Sequence, residues 1–138
     1  MKKILIVIIM LIMITGCKKE EIEKVEIVKY EGGKIKIEFK DYIGYDNKTI
    51  EIMDEDTVKE IIENFNYAKE TTADYRGPSP ITYYYINEKG NEYSFKIWEE
   101  GIFEFAELNI DCPDRNCSKY YETTNESKFT SYALEKYN

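Results

Sequence analysis

Cys112 and Cys117 bracket Pro113-Asp114-Arg115-Asn116, a turn-forming run that can bring two thiols together. Such a pair can bridge, stay reduced, or enter redox or metal chemistry. The spacing is not C-x-x-C, and neither a histidine nor a second cysteine pair stands by to complete a zinc site. Histidine is in fact absent from all 138 residues. That removes the usual general base near neutral pH, the commonest transition-metal ligand and every Ser-His or Cys-His nucleophile pair. Acid–base work is left to carboxylates. With 27 Asp and Glu residues, a two-carboxylate glycosidase site could be drawn almost anywhere, so no catalytic residue is assigned. The clusters Asp54-Glu55-Asp56 and Asp111/Asp114/Asn116 lack the central glycine and terminal glutamate of a calcium loop. They read as a helix cap and a solvated turn, and no metal or cofactor is implied. There is no Gly-rich phosphate loop and no G-x-S-x-G elbow.

Cys17 has a different setting. Lys2 and Lys3 precede an apolar run from Ile4 to Ile14, and its 11 residues fall short of a membrane span. A helix crossing the bilayer core needs roughly 20 apolar residues. A positive start, a short apolar stretch and small residues at the exit describe a secretory signal peptide. Its exit, Ile14-Thr15-Gly16-Cys17, resembles the bacterial lipobox. The resemblance implies a diacylglyceryl group on Cys17 and cleavage before it. Residues 1–16 are then a lipoprotein signal peptide, 17–24 a lipidated cysteine with a charged tether, and 25–138 one globular domain. Two acyl chains hold a protein stably at a membrane, so the expected address is extracytoplasmic and lipid-anchored. Outside the membrane, the two remaining cysteines favour a Cys112–Cys117 disulfide.

Removing the leader leaves 17 basic against 27 acidic residues, about −10 in net charge. Nucleic acid is excluded as a partner by repulsion, whereas a cationic envelope protein or wall component fits. The abundance of Ile, Lys, Glu, Asn and Tyr matches an AT-rich genome, as in low-GC Gram-positive bacteria. The passage "TIEIMDEDTVKEIIENF" and the late aromatic strands are similar to small lipoproteins of that group, a likeness that carries no functional residues.

These groups need elements to position them. In "VEIVKYEGGKIKIEF", Val25 and Ile27 alternate with polar residues, Glu31-Gly32-Gly33 turns, and Ile35, Ile37 and Phe39 alternate again. That pattern predicts a hairpin pairing Ile27 with Ile37 and Val25 with Phe39. A third strand follows over 49–53. Val58, Ile61, Ile62, Phe65 and Ala68 form one helical stripe, capped by Asp54 and ended by the polar run "ETTADYRGPSP". A meander over 81–87, 92–98 and 102–108 comes next. Its predicted register sets Ile81 against Ile97, Tyr83 against Phe95, Tyr85 against Tyr93, Ile97 against Phe103, Phe95 against Phe105, and Lys96 against Glu104. A cysteine loop leads to a last helix, opened by the capping box Thr123-Thr124-Asn125-Glu126.

The expected fold is α+β: about six mostly antiparallel strands in βββ-α-βββ-α order with two helices packed on them. The register sends Tyr83, Tyr85 and Tyr93 to the core. Of the 13 tyrosines, it leaves Tyr84, Tyr120 and Tyr121, with Trp98, as candidates for a contact surface. The reading is a non-catalytic binding module at the membrane, an inhibitor of a basic cell-wall hydrolase being one specific form. The alternative is a carboxylate-dependent envelope enzyme or enzyme accessory.

Overall fold

Alternating apolar side chains need a second layer to cover them, and the late aromatic strands lay down most of that face. The computed structural model describes residues 25–72, 79–98, 101–112, 117–123 and 126–138, without the side chains of 126 and 127. Its elements are β1 (Lys34–Phe39), β2 (Lys48–Ile52), α1 (Glu55–Phe65), β3 (Lys69–Thr71), β4 (Ile81–Ile86), β5 (Glu92–Trp98), β6 (Ile102–Glu107), β7 (Ser118–Glu122) and α2 (Glu126–Tyr137). The seven strands form one antiparallel sheet in the order β2-β1-β4-β5-β6-β7-β3. The fold is α+β, with both helices on one face.

The meander has the register its sequence predicts, including Tyr83 opposite Phe95, Ile97 opposite Phe103 and Lys96 opposite Glu104. Period-two alternation leaves little freedom here, because a one-residue slip would turn every core ring to the other face. The first helix matches in its cap and its buried stripe but stops earlier than expected, at Phe65 before the Asn66 cap. Val58, Ile61, Ile62 and Phe65 are buried along α1, and Ala68 is buried just beyond its end. Asp54 caps it, its carboxylate accepting from the Thr57 N–H and hydroxyl. The Phe65 ring then stacks on Phe95 at 4.1 Å and meets Tyr83 and Phe103 edge-on.

Two expectations need correction. Val25–Tyr30 is not a strand, and both edges of β1 are taken, by β2 and β4. Gly32 and Gly33 do turn the chain, with φ of +69° and +93°. The turn, however, is tied to β4. The Tyr85 hydroxyl accepts from the Glu31 N–H at 2.8 Å and donates to the Gly32 carbonyl at 2.6 Å, and a Cβ on Gly33 would strike the Ile86 carbonyl. The strand count is seven rather than six, because β3 and β7 pair with each other where a polar run and a cysteine loop were expected. The order is therefore ββ-α-βββββ-α. In the expected capping box, the Thr123 hydroxyl donates to the Tyr67 carbonyl at 3.1 Å. Residues 124 and 125, the Glu126 side chain, the leader and tether, most of the 70–80 run and the Glu99-Glu100 turn lie outside the described residues.

Asn66 replaces the missing hairpin as the partner of the segment before β1. Its Oδ1 accepts from the N–H groups of Ile27 at 2.9 Å and Val28 at 3.2 Å, and its Nδ2 donates to the Val28 carbonyl at 3.0 Å. The Val25 N–H donates to the Asn66 backbone carbonyl at 2.7 Å. One buried amide thus satisfies a stretch of backbone that has no strand partner.

Two tests follow from this arrangement. Asn66→Ala should lower unfolding free energy by about 2–4 kcal/mol in urea denaturation, since it strands buried backbone groups. A loss no larger than that of an exposed control would refute the role. The Lys34 ammonium of β1, 2.7 Å away, holds the Glu51 carboxyl of β2 below its usual range. A lowered folded value means stability that is full above the ordinary carboxylate range and lost as pH falls through the folded value. NMR titration should find Glu51 restored to its ordinary value in Lys34→Gln, with acid unfolding correspondingly less dependent on this group.

Candidate interaction surface

The register divides the sheet into two chemical faces. One carries Ile35, Ile37, Phe39, Ile81, Tyr83, Tyr85, Phe95, Ile97 and Phe103, all buried beneath the helix layer. The opposite face receives the alternate residues. Across β1, β4, β5 and β6 one row reads Glu38, Thr82, Lys96, Glu104, and the next reads Lys36, Tyr84, Ser94, Ala106. Tyr84 and Trp98 stand on this outer face, both half-buried. Tyr120 joins them from β7, opposite Glu104 and Thr71. With strands about 4.8 Å apart, these three aromatics spread over four adjacent strands rather than forming one contiguous patch.

Tyr84 has the most distinctive surroundings. Lys36 and Ser94 lie directly opposite it, and Glu38 and Glu92 sit diagonally on the flanking strands. Its hydroxyl pKa is raised by burial, then by the Glu38 and Glu92 carboxylates. A phenol ring between two carboxylates suits a cationic group, which gains from the ring quadrupole and from both charges. Thr82 and Ser94, each a member of one of these rows, are themselves buried, at 5% and 2% exposed.

Tyr121 does not belong to this surface. It stacks on Phe103 at 5.5 Å and is 7% exposed, on the helix-covered face. The two tyrosines of the Tyr120-Tyr121 run necessarily point to opposite faces once they lie in a strand. The assignment depends on β7, which forms where the sequence predicts a cysteine loop.

Cys112, after β6, and Cys117, before β7, are joined as a disulfide with their Cα atoms 6.0 Å apart. The bridge closes the β6–β7 connection, while Asp114 and Asn116 of the acidic cluster lie outside the described residues. Among the described residues, no group of three His, Cys, Asp or Glu side chains is placed to hold a metal ion. Asp54 is occupied as the cap of α1, and its carboxyl is lowered by the Thr57 hydrogen bonds. The buried polar side chains among the described residues are Asn66, Ser79, Thr82, Asn87, Ser94 and Thr123, all uncharged.

Two features escaped the sequence reading. Asn66 resembles an ordinary helix-ending residue, and nothing local marks it as a partner for residues nearly forty positions earlier. Tyr132, at apolar spacing from Phe129 on α2, has a hydroxyl that is buried without a hydrogen-bond partner. No family model, curated protein or solved structure matches this chain.

The bridge has a measurable signature. Reduction should raise the mass of the purified protein by about two mass units. Cys112→Ser combined with Cys117→Ser should cost about 2 kcal/mol in denaturant unfolding, the loop being short. Equal masses before and after reduction would exclude the bond.

Proposed function

We propose that this chain is a lipid-anchored, extracytoplasmic binding protein whose domain works without catalysis. The observation that carries the address is Ile14-Thr15-Gly16-Cys17, where small residues precede a cysteine at the end of an apolar leader. No described helix is long and apolar enough to cross a membrane, so attachment in this reading rests on Cys17. The working surface is the outer face of the sheet, with Tyr84, Trp98 and Tyr120 as its aromatic contacts. Its partner is a cationic group on an envelope protein or wall component, drawn by a strongly acidic domain and received at Tyr84 between Glu38 and Glu92.

An enzyme reading would require two convergent carboxylates, one of them buried and raised toward neutrality. Among the described residues, the Glu51 and Asp54 carboxyls are instead held below their usual range. That favours binding over catalysis as the leading interpretation.

The test has separate arms for address and surface. Wild-type protein should incorporate radiolabelled palmitate and sediment with membranes, whereas Cys17→Ala should do neither. Membrane retention of unlabelled Cys17→Ala would contradict the anchor. For the surface, Tyr84→Ala should weaken salt-sensitive binding to isolated envelopes at least about tenfold, or about 1.4 kcal/mol. Ile43→Ser, at an exposed loop tip, should leave it unchanged. Equal effects from both substitutions would contradict the proposed face.

A further inference from the structure

The two helices are pinned together by rings. Phe65 of α1 and Phe129 of α2 stack face to face, 4.0 Å apart and within 5° of parallel. Next to this stack a cleft of about 220 Å³ lies between the helices. Ile61 and Phe129 form its apolar base and are themselves 5% and 4% exposed. Thr57, Glu60 and Asn64 come from one face of α1, and Lys128 and Tyr132 from successive turns of α2.

The two walls differ in chemistry. The α1 wall offers the Glu60 carboxylate. The α2 wall offers two donors, the Lys128 ammonium and the Tyr132 hydroxyl. That hydroxyl is buried with no hydrogen-bond partner, a costly state for a polar group. Burial raises its pKa, and Glu135, Glu60 and Asp54 raise it further, so it remains a protonated donor at neutral pH. Asp54 is already engaged by Thr57, and the Lys136 ammonium sits over the Tyr132 ring, 5.5 Å from its centroid. The hydroxyl has no acceptor within the protein, and a ligand oxygen can supply one.

We propose that this cleft binds a small zwitterion of the free amino acid class carrying an apolar side chain. Lys128 and the Tyr132 hydroxyl receive its carboxylate, Glu60 receives its ammonium, and Ile61 and Phe129 receive the side chain. The volume lies below the roughly 300–1,000 Å³ of pockets for drug-sized ligands, which fits one amino acid better than a nucleotide or an oligosaccharide. The cleft lies in the helix layer, away from the aromatic sheet face. Binding there needs neither the anchor nor the macromolecular partner proposed above.

The probes are L-phenylalanine, phenylalaninamide, which lacks the carboxylate, and N-acetylphenylalanine, which lacks the ammonium. Proton–nitrogen NMR titration of the full chain should show saturable shifts confined to residues 57–64 and 128–132 with L-phenylalanine. Both blocked forms should bind at least about tenfold more weakly. Glu60→Gln and Lys128→Gln alter exposed side chains and should keep the fold while each weakens binding about tenfold. Tyr132→Phe should weaken it as well. No saturable shift up to about 10 mM would overturn the proposal. So would equal binding of the blocked forms, or charge variants with unchanged affinity. A Tyr132→Phe protein that is more stable but binds equally well would show that the hydroxyl takes water rather than ligand, and would overturn its assigned part.

Discussion

The Phe65 ring is the contact on which the rest of the molecule depends. It lies flat between Phe95 and Phe129, at 4.1 and 4.0 Å, and Tyr83 and Phe103 close it edge-on. One side chain at the end of α1 thereby joins β4, β5, β6 and α2. Offset and edge-to-face arrangements both satisfy the ring quadrupoles, so the cluster gains direction as well as buried area. Replacing such a ring by a small residue removes about 3–5 kcal/mol, a large share of the stability of a domain this size. The Tyr83 hydroxyl donates to the Phe129 carbonyl and adds a polar tie between the sheet and α2.

This constraint sets the division of labour between the two sheet faces. Once Phe65 draws both helices onto one face, the aromatics there are committed to packing. The opposite face keeps its alternating charges and the aromatics Tyr84, Trp98 and Tyr120. Fixing α1 also fixes Asn66, the next residue, whose amide then holds the incoming segment at Ile27 and Val28. Toward the β1–β2 edge of the same face, Tyr137 closes the helix layer in a similar way. Its ring meets Phe39 at 5.1 Å and Tyr45 at 4.9 Å, and its hydroxyl accepts from the Asp46 N–H.

Legibility in the sequence followed the range of the interactions. The meander could be read because turns and alternation specify pairing between neighbouring segments, down to Lys96 opposite Glu104. The α1 stripe could be read because its period is local. Val25–Tyr30 could not, since the alternation of Val25 and Ile27 is equally consistent with a strand and with an extended segment held by a distant asparagine. The short β3 and the charged β7 carry too little pattern to announce themselves, and they stabilise only as a pair added beyond β6. Tyr84 and Trp98 were placed on the outer face by parity alone, whereas Tyr121 required knowledge of β7. The interhelical cleft depends on how two helices sit against each other, which no single segment encodes.

In the proposed function, the acidic domain turns its ring-filled layer away and uses the charged, aromatic sheet face to hold a cationic partner near a membrane. The claim that the outer sheet face does this work is open to direct measurement by hydroxyl-radical footprinting. Full-length protein would be labelled once in its native envelope and once purified, with oxidation read at Tyr84, Trp98 and Tyr120 by mass spectrometry. Tyr67, 43% exposed just beyond the end of α1, serves as the internal reference. The account predicts that the three outer-face residues are oxidised more slowly in the envelope while Tyr67 is unchanged. Equal oxidation of all four in both settings would contradict it.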